Sequence, residues 1–468
     1  MNGAASGGPG GARWLLPAGA ACAVLAAFAA PGPFFALAFP AYLLLKARQR
    51  HLFEGRRALL VTLVAAAVLR LSLVLVYQAA VYWSRLSVDF FGDARGYTHV
   101  GLYIASLLRG EMVNAGEDAF ASWFVAHEAP GLREGGYWTD AGGFPSLLGY
   151  HVSAYSYAMG WLFAIFGFSP LMIKLLNSML SVWTGVVVYL LARDLWGERA
   201  GVAAAGAFLF FPSVVFWSIT GLKDTVIIAG LVTCVWCATR YLRDGGAGYL
   251  VLGAGLTGAA WTIRTALVGP LVLALLMAVA TRMARALGGV APRIFLTAGM
   301  IVLGGWLAMS YPSIISFSKS VSEGWVHGEG TVYRIFPARF YLEENQASPS
   351  LTAGELLGVL LIATAYGVFS PFPWEITTNL QRIALPQVLV WYGLFPFFII
   401  GLRQGLRQSR ALLPMLVLGV GLVGIIALGS GNVGSAFRHR DMLTPFYLVL
   451  ASGGLCHILG WPKADGVG

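Results

Sequence analysis

Apolar runs of about 20 residues recur from residue 14 to residue 459 of this 468-residue chain, and each is long enough to cross the roughly 30 Å hydrocarbon layer of a bilayer. One soluble core cannot bury so many segments of that length. Hydrophobic residues make up 58% of the chain and charged residues 11%, fractions that lie outside those of soluble domains. In lipid each backbone amide must be satisfied within its own segment, which leaves helices as the spanning element. The expected fold is an all-α polytopic membrane protein with about 11–14 transmembrane helices and a long first external loop carrying interfacial helices.

The net charge of +10 does not point to nucleic acid. The basic residues sit in short clusters between apolar runs, where they set topology. Cys22, Cys234, Cys237 and Cys456 all lie in apolar stretches, so neither a disulfide framework nor a zinc site is indicated. Residues 14–30, then Pro31-Gly32-Pro33, then a second apolar run ending at Lys46 read as an uncleaved anchor or hairpin rather than a removed leader.

Lys46, Arg48, Arg50, Arg56 and Arg57 stand between two hydrophobic segments, and such a cluster belongs on the cytoplasmic side. Residues 58–83 then cross outward and place 84–150 outside as a long loop with many acids, where Trp123, Phe124, Tyr137 and Trp138 favour interfacial helices. Crossings follow near 171–192, 200–219, 225–240, 247–263, 265–281 and 294–312, then 388–402 and 411–428. Residues 152–168 and 355–370 are apolar enough to span, but counting them would turn Arg240, Arg243, Arg282, Arg285 and Arg293 outward. They are expected to be re-entrant or interfacial helices. The implied divisions are an N-terminal anchor and basic loop (1–57), a transmembrane core (58–312), a second external region (313–386) and C-terminal transmembrane helices (387–468).

Three polar clusters fall on the external side in this topology. Asp89 and Asp93 are followed by Tyr97 and His99. A helix beginning near Asp93 puts Tyr97 on its face, and a carboxylate there either acts as a general base on a hydroxyl acceptor or caps the helix. Gly221-Leu222-Lys223-Asp224 stands at the lip between two hydrophobic helices. Lys223 can bind a phosphate and Asp224 can orient it; a snorkelling lysine beside a capping acid is the alternative. Arg438-His439-Arg440 precedes the last crossing on the side where topology does not ask for positive charge. The two arginines can grip a phosphate through paired N–H donors.

Gly92-Asp93-Ala94-x-x-Tyr97, Phe166-Gly167-Phe168-Ser169-Pro170, Arg193-Asp194 with Gly197, and Pro212 followed by Gly221-Leu222-Lys223-Asp224 resemble bacterial members of the glycosyltransferase C superfamily, over about residues 58–245. These enzymes are related to the dolichyl-phosphate-mannose protein mannosyltransferases. The resemblance implies a polyprenyl-phosphate sugar donor and an acid of the first external loop that activates the acceptor. By motif position that acid is Asp93, with Asp89 second. The family often shows adjacent acids here, whereas Ala94 and Arg95 follow Asp93 in this chain.

The resulting expectation is a glycosyltransferase of the cell inner membrane that moves a sugar to an extracytoplasmic glycan, lipid or protein in envelope or exopolysaccharide assembly. Asp93 is the base, with Asp89 as a second candidate. Lys223, Arg438 and Arg440 hold the lipid phosphate, and Tyr97, His99, Asp224 and His439 complete the set. A divalent metal is left open as cofactor. A polymerase or ligase using polyprenyl-diphosphate-linked chains, and a lipid-linked sugar flippase, stand as alternatives.

Overall fold

The computed structural model describes residues 30–38, 57–84, 89, 92–111, 152–287, 336, 351–376, 378–408, 410–429 and 433–461. Every regular element among the described residues is helical, as an all-α polytopic chain requires. The helices are α1 (Arg57–Trp83), α2 (Gly92–Leu108), α3 (Ala154–Phe166), α4 (Pro170–Trp196), α5 (Glu198–Leu209), α6 (Pro212–Ser218) and α7 (Asp224–Asp244). They continue as α8 (Ala247–Ile263), α9 (Val268–Leu287), α10 (Ala353–Phe369), α11 (Asn379–Gln408), α12 (Leu413–Gly429), α13 (Val433–Arg440) and α14 (Thr444–Ile458).

Among the described residues, six helical segments are long and apolar enough to cross a membrane. They are Arg57–Trp83, Pro170–Trp196, Asp224–Asp244, Thr265–Arg285, Gln381–Arg407 and Arg410–Gly429. The expected crossing at 200–219 is broken: α5 and α6 meet at 58°. Pro212 opens α6, and it can neither donate an amide hydrogen bond back into α5 nor avoid crowding the preceding turn. Helices α3, α8, α10 and α14 are apolar but shorter. For α3 and α10 this agrees in length with re-entrant or interfacial placement. The expected crossing at 294–312, the aromatic loop residues 123–138 and most of the N-terminal anchor lie outside the described residues.

Two compact units divide the chain, and both are discontinuous in sequence. The first comprises residues 1–56, 67–180 and 218–223. Within it α2 packs against α3, with Gly101 against Met159 and Gly160 against Ile104, where a side chain on either glycine would collide. Phe35 stacks on Phe166 at 4.7 Å. The N-terminal half of α4 belongs to this unit and carries buried Lys174, Asn177 and Ser178. A polar stripe on an otherwise apolar helix turns toward protein, because lipid cannot satisfy it.

The second unit comprises residues 57–66, 181–217 and 224–468. In it α7 packs on α8 and α9, α9 and α10 pack on α12, and α14 packs on α5 and α11. Helices α11 and α14 approach closely at Gly401 and Gly454. A Cβ on Gly401 would fall onto the carbonyl oxygen of Leu450, and one on Gly454 onto that of Phe397. Small residues at a helix interface allow this approach, which packing in a membrane depends upon.

At the C-terminal end of α7, Asp194 is buried and its Oδ1 accepts from Arg240 Nη2 at 3.1 Å and Arg193 Nη2 at 3.2 Å. Arg282 and Arg285 donate to the carbonyls of Tyr241 and Leu242, in the last turn of α7, at 3.1 and 3.3 Å. The arginines read as topological markers therefore also bind helices together. Helix α10 opens on a reciprocal cap, with Glu355 N donating to Thr352 Oγ1 and Thr352 N donating to the Glu355 carboxylate.

Candidate active site

The first unit holds the acids of the opening motif, and it gives them different surroundings. Asp89 is fully buried. It accepts from the Tyr77 hydroxyl at 2.5 Å and from the Gly221 amide at 3.3 Å, and lies 3.4 Å from Lys174 Nζ. Lys174 also donates to Gln78 at 2.9 Å. Each of its carboxylate oxygens thus has a partner within the first unit.

Asp93 is half-buried in the first turn of α2, where the helix N-terminus favours negative charge. Tyr97 lies one turn further along the same face and is buried, and Lys223 Nζ sits 5.0 Å from its ring centroid. The fold thus brings Lys223 to the face of α2 that Asp93 and Tyr97 share. His99, two residues on, is buried; positions two apart on a helix do not face together.

Lys223 is carried by a tightly held loop. Asn177 donates to the carbonyls of Thr220 and Leu222, each at 2.9 Å. The Tyr155 hydroxyl donates to Gly221 O at 2.9 Å, Ser178 donates to Ser218 O at 3.0 Å, and Arg70 Nε donates to Ser218 Oγ at 3.1 Å. Ala94, Asp89 and Thr98 stand 3.5–3.9 Å from where a Cβ on Gly221 would lie, ordinary packing distances. Arg70, Tyr155, Lys174 and Asn177 are site-supporting residues that motif reading missed. Lys174 was the visible signal, a lone cation in an apolar run.

The second unit holds the other cations. Asp224 begins α7, and its Oδ2 accepts from Arg438 Nε at 2.9 Å and Nη2 at 2.7 Å. The Arg438 guanidinium lies 6.0 Å from the Trp217 ring. His439 Nε2 is 2.9 Å from Arg264 Nη2; since an arginine can only donate, this histidine nitrogen accepts. Arg264 is the single extended residue between α8 and the short 3-10 turn before α9. It too went unnoticed in sequence, where it stood between two apolar runs.

Arg440 does not join this group. It is fully buried, and its Nη1 donates to the carbonyls of Val368 and Ser370 at 3.2 and 2.8 Å. The residue expected to bind phosphate thus has Nη1 engaged by backbone carbonyls. Arg438 and Arg440 share α13 and point about 200° apart.

Asp441 follows it, buried, accepting from Ser213 Oγ at 2.6 Å and Thr444 Oγ1 at 3.2 Å. Burial pushes its carboxyl from the ordinary 3.8 up to about 7, with Asp224 adding to the rise and Ser213, Arg440 and Thr444 opposing it. The folded chain then holds a proton there that the unfolded chain has released between pH 4 and 7. This group's contribution to stability is full below pH 4 and is lost as pH rises through 7. Replacing Asp441 with Asn should flatten the thermal midpoint against pH across that window; an unchanged slope would contradict the assignment.

Among the described residues no group of three or more His, Cys, Asp or Glu comes together to hold a metal ion.

Residues 151–308 match the family model of dolichyl-phosphate-mannose-protein mannosyltransferases. Over that stretch the chain is similar to GT-C membrane glycosyltransferases. The match bears out the resemblance, beginning later and running further than the motifs that suggested it. The matched segment takes in the Lys223 loop, Asp224 and Arg264, while Asp93 and Arg438 lie outside it. No curated protein sequence matches the chain.

Proposed function

We propose that the protein transfers a sugar from a polyprenyl-phosphate donor to a hydroxyl of an extracytoplasmic glycan, lipid or protein, in the inner membrane and in the service of envelope or exopolysaccharide assembly. The observation that carries this reading is Lys223 standing over Tyr97, on the face of α2 that begins with Asp93. A carboxylate and a lysine presented together match what the reaction needs. Asp93 takes the proton of the acceptor hydroxyl as its oxygen attacks the anomeric carbon. The bond from that carbon to the phosphate oxygen breaks, and its electron pair leaves with the lipid phosphate. Lys223 offsets the charge that gathers on the phosphate. Attack from the opposite side inverts the sugar.

In the second unit, Arg438 and His439 with Arg264 are assigned to anionic substrate groups. Asp89 is assigned to support of the Lys223 loop.

The purified protein, supplied in parallel with a polyprenyl-phosphate monosaccharide and a polyprenyl-diphosphate oligosaccharide, tests this. Asp93→Asn is expected to lower monosaccharide transfer by about 10²–10⁴-fold, the usual contribution of a general base, without moving the thermal midpoint. Full transfer by that variant removes Asp93 from the chemistry. Consumption of the oligosaccharide alone would make the protein a polymerase or ligase.

A further inference from the structure

The buried guanidinium of Arg440 has two faces and a set of N–H edges to account for. Its faces are covered by aromatic rings, Phe437 at 4.8 Å and Trp391 at 5.0 Å. Nη1 is spent on two backbone carbonyls. The remaining edge, Nε with Nη2, has no hydrogen-bond partner, although both atoms are buried. That edge carries the parallel donors with which arginine grips anions. Ser370, whose carbonyl accepts from Nη1, keeps a buried hydroxyl without a partner. The indole N–H of Trp391 is likewise buried and unpartnered.

Charge points the same way. Among the described residues no carboxylate lies within ion-pairing distance of Arg440. Asp441 is next in sequence, yet its Oδ1 is taken by Ser213 and Thr444. Burial favours its neutral form, and a protonated Oδ2 would add a donor. A guanidinium enclosed without a counter-charge is expensive, and unmet buried donors add to the cost.

We propose that the second unit contains an occluded binding site for a small monovalent anion of halide size, held by the Nε–Nη2 edge of Arg440 and the Ser370 hydroxyl. Complete burial of both residues selects a compact ion over a phosphate or lipid headgroup. The site is independent of the transfer reaction assigned to Asp93.

The test is the thermal midpoint of the purified full-length protein in detergent, with sodium chloride, bromide, gluconate or phosphate at matched ionic strength. Chloride and bromide should raise the midpoint in a saturable way, because an ion that binds only the folded state stabilises by mass action; gluconate and phosphate should not. Ser370→Ala should leave the midpoint in gluconate in place and raise the half-saturating halide concentration severalfold. Arg440→Gln should abolish the halide response. Equal midpoints in halide and gluconate would mean that water fills the space, and a phosphate response as large as chloride's would mean an open oxyanion site. Either result, or a halide response undiminished in Ser370→Ala, overturns the proposal.

Discussion

Asp89→Asn is expected to destabilise the protein by about 3–5 kcal/mol, the range for removing one member of a buried ion pair. The size follows from what the substitution leaves behind. Lys174 is 1% exposed, and without a carboxylate 3.4 Å away its ammonium would rest on Gln78 and the Tyr77 ring. The Tyr77 hydroxyl and the Gly221 amide also lose a charged acceptor. Replacing both charges at once, as Asp89→Leu with Lys174→Met, should recover most of the loss, since a buried pair exchanged for apolar groups is often neutral. Thermal unfolding of the single and double variants in one detergent measures this. A midpoint for Asp89→Asn equal to the parent's would show that the pair contributes nothing. The contrast with Asp93→Asn separates support from chemistry.

Gly454→Val should be the most damaging single change in the second unit. The position where its Cβ would stand is taken by the Phe397 carbonyl, with Gly401 N beside it. Backbone cannot swing aside as a flexible side chain can, so α14 must move away from α11 along its length. Overpacking of a well-filled interior costs about 1–3 kcal/mol and occasionally more; this substitution belongs at or beyond the upper end. Gly401→Val meets the Leu450 carbonyl in the same way. Gly393, on the same helix α11, has nothing within 4 Å of its Cβ position, and Gly393→Val serves as control. Yield and thermal midpoint of the folded protein read the effect, and parity between Gly454→Val and Gly393→Val would refute the close contact.

The apolar runs made the membrane class and several helix bounds legible: 58–83, 171–192 and 411–428 lie within or close to observed helices. Hydropathy did not register the break at Pro212, because the residues on both sides are apolar and only the missing amide proton matters. Spacing identified Asp93 with Tyr97, a local relation that one helix settles. It could not separate Asp89 from Asp93, since the difference lies in Lys174 and Gly221, brought up from far along the chain. Arg438 and Arg440 looked equivalent as a basic pair. Their position two apart on one helix sets them on different faces.

The loop 218–223 is held by hydrogen bonds from Asn177, Tyr155 and Ser178 and by one to Asp89. Those bonds have a kinetic meaning. A lysine on a loose loop must be collected from many conformations each time a donor binds, and that ordering subtracts from affinity on every cycle. Here the conformational entropy was surrendered once, during folding. If the proposed role of Lys223 holds, its cation meets the phosphate already in position, and changes at Asn177 or Tyr155 would be felt as a slower reaction long before they were felt as a missing charge.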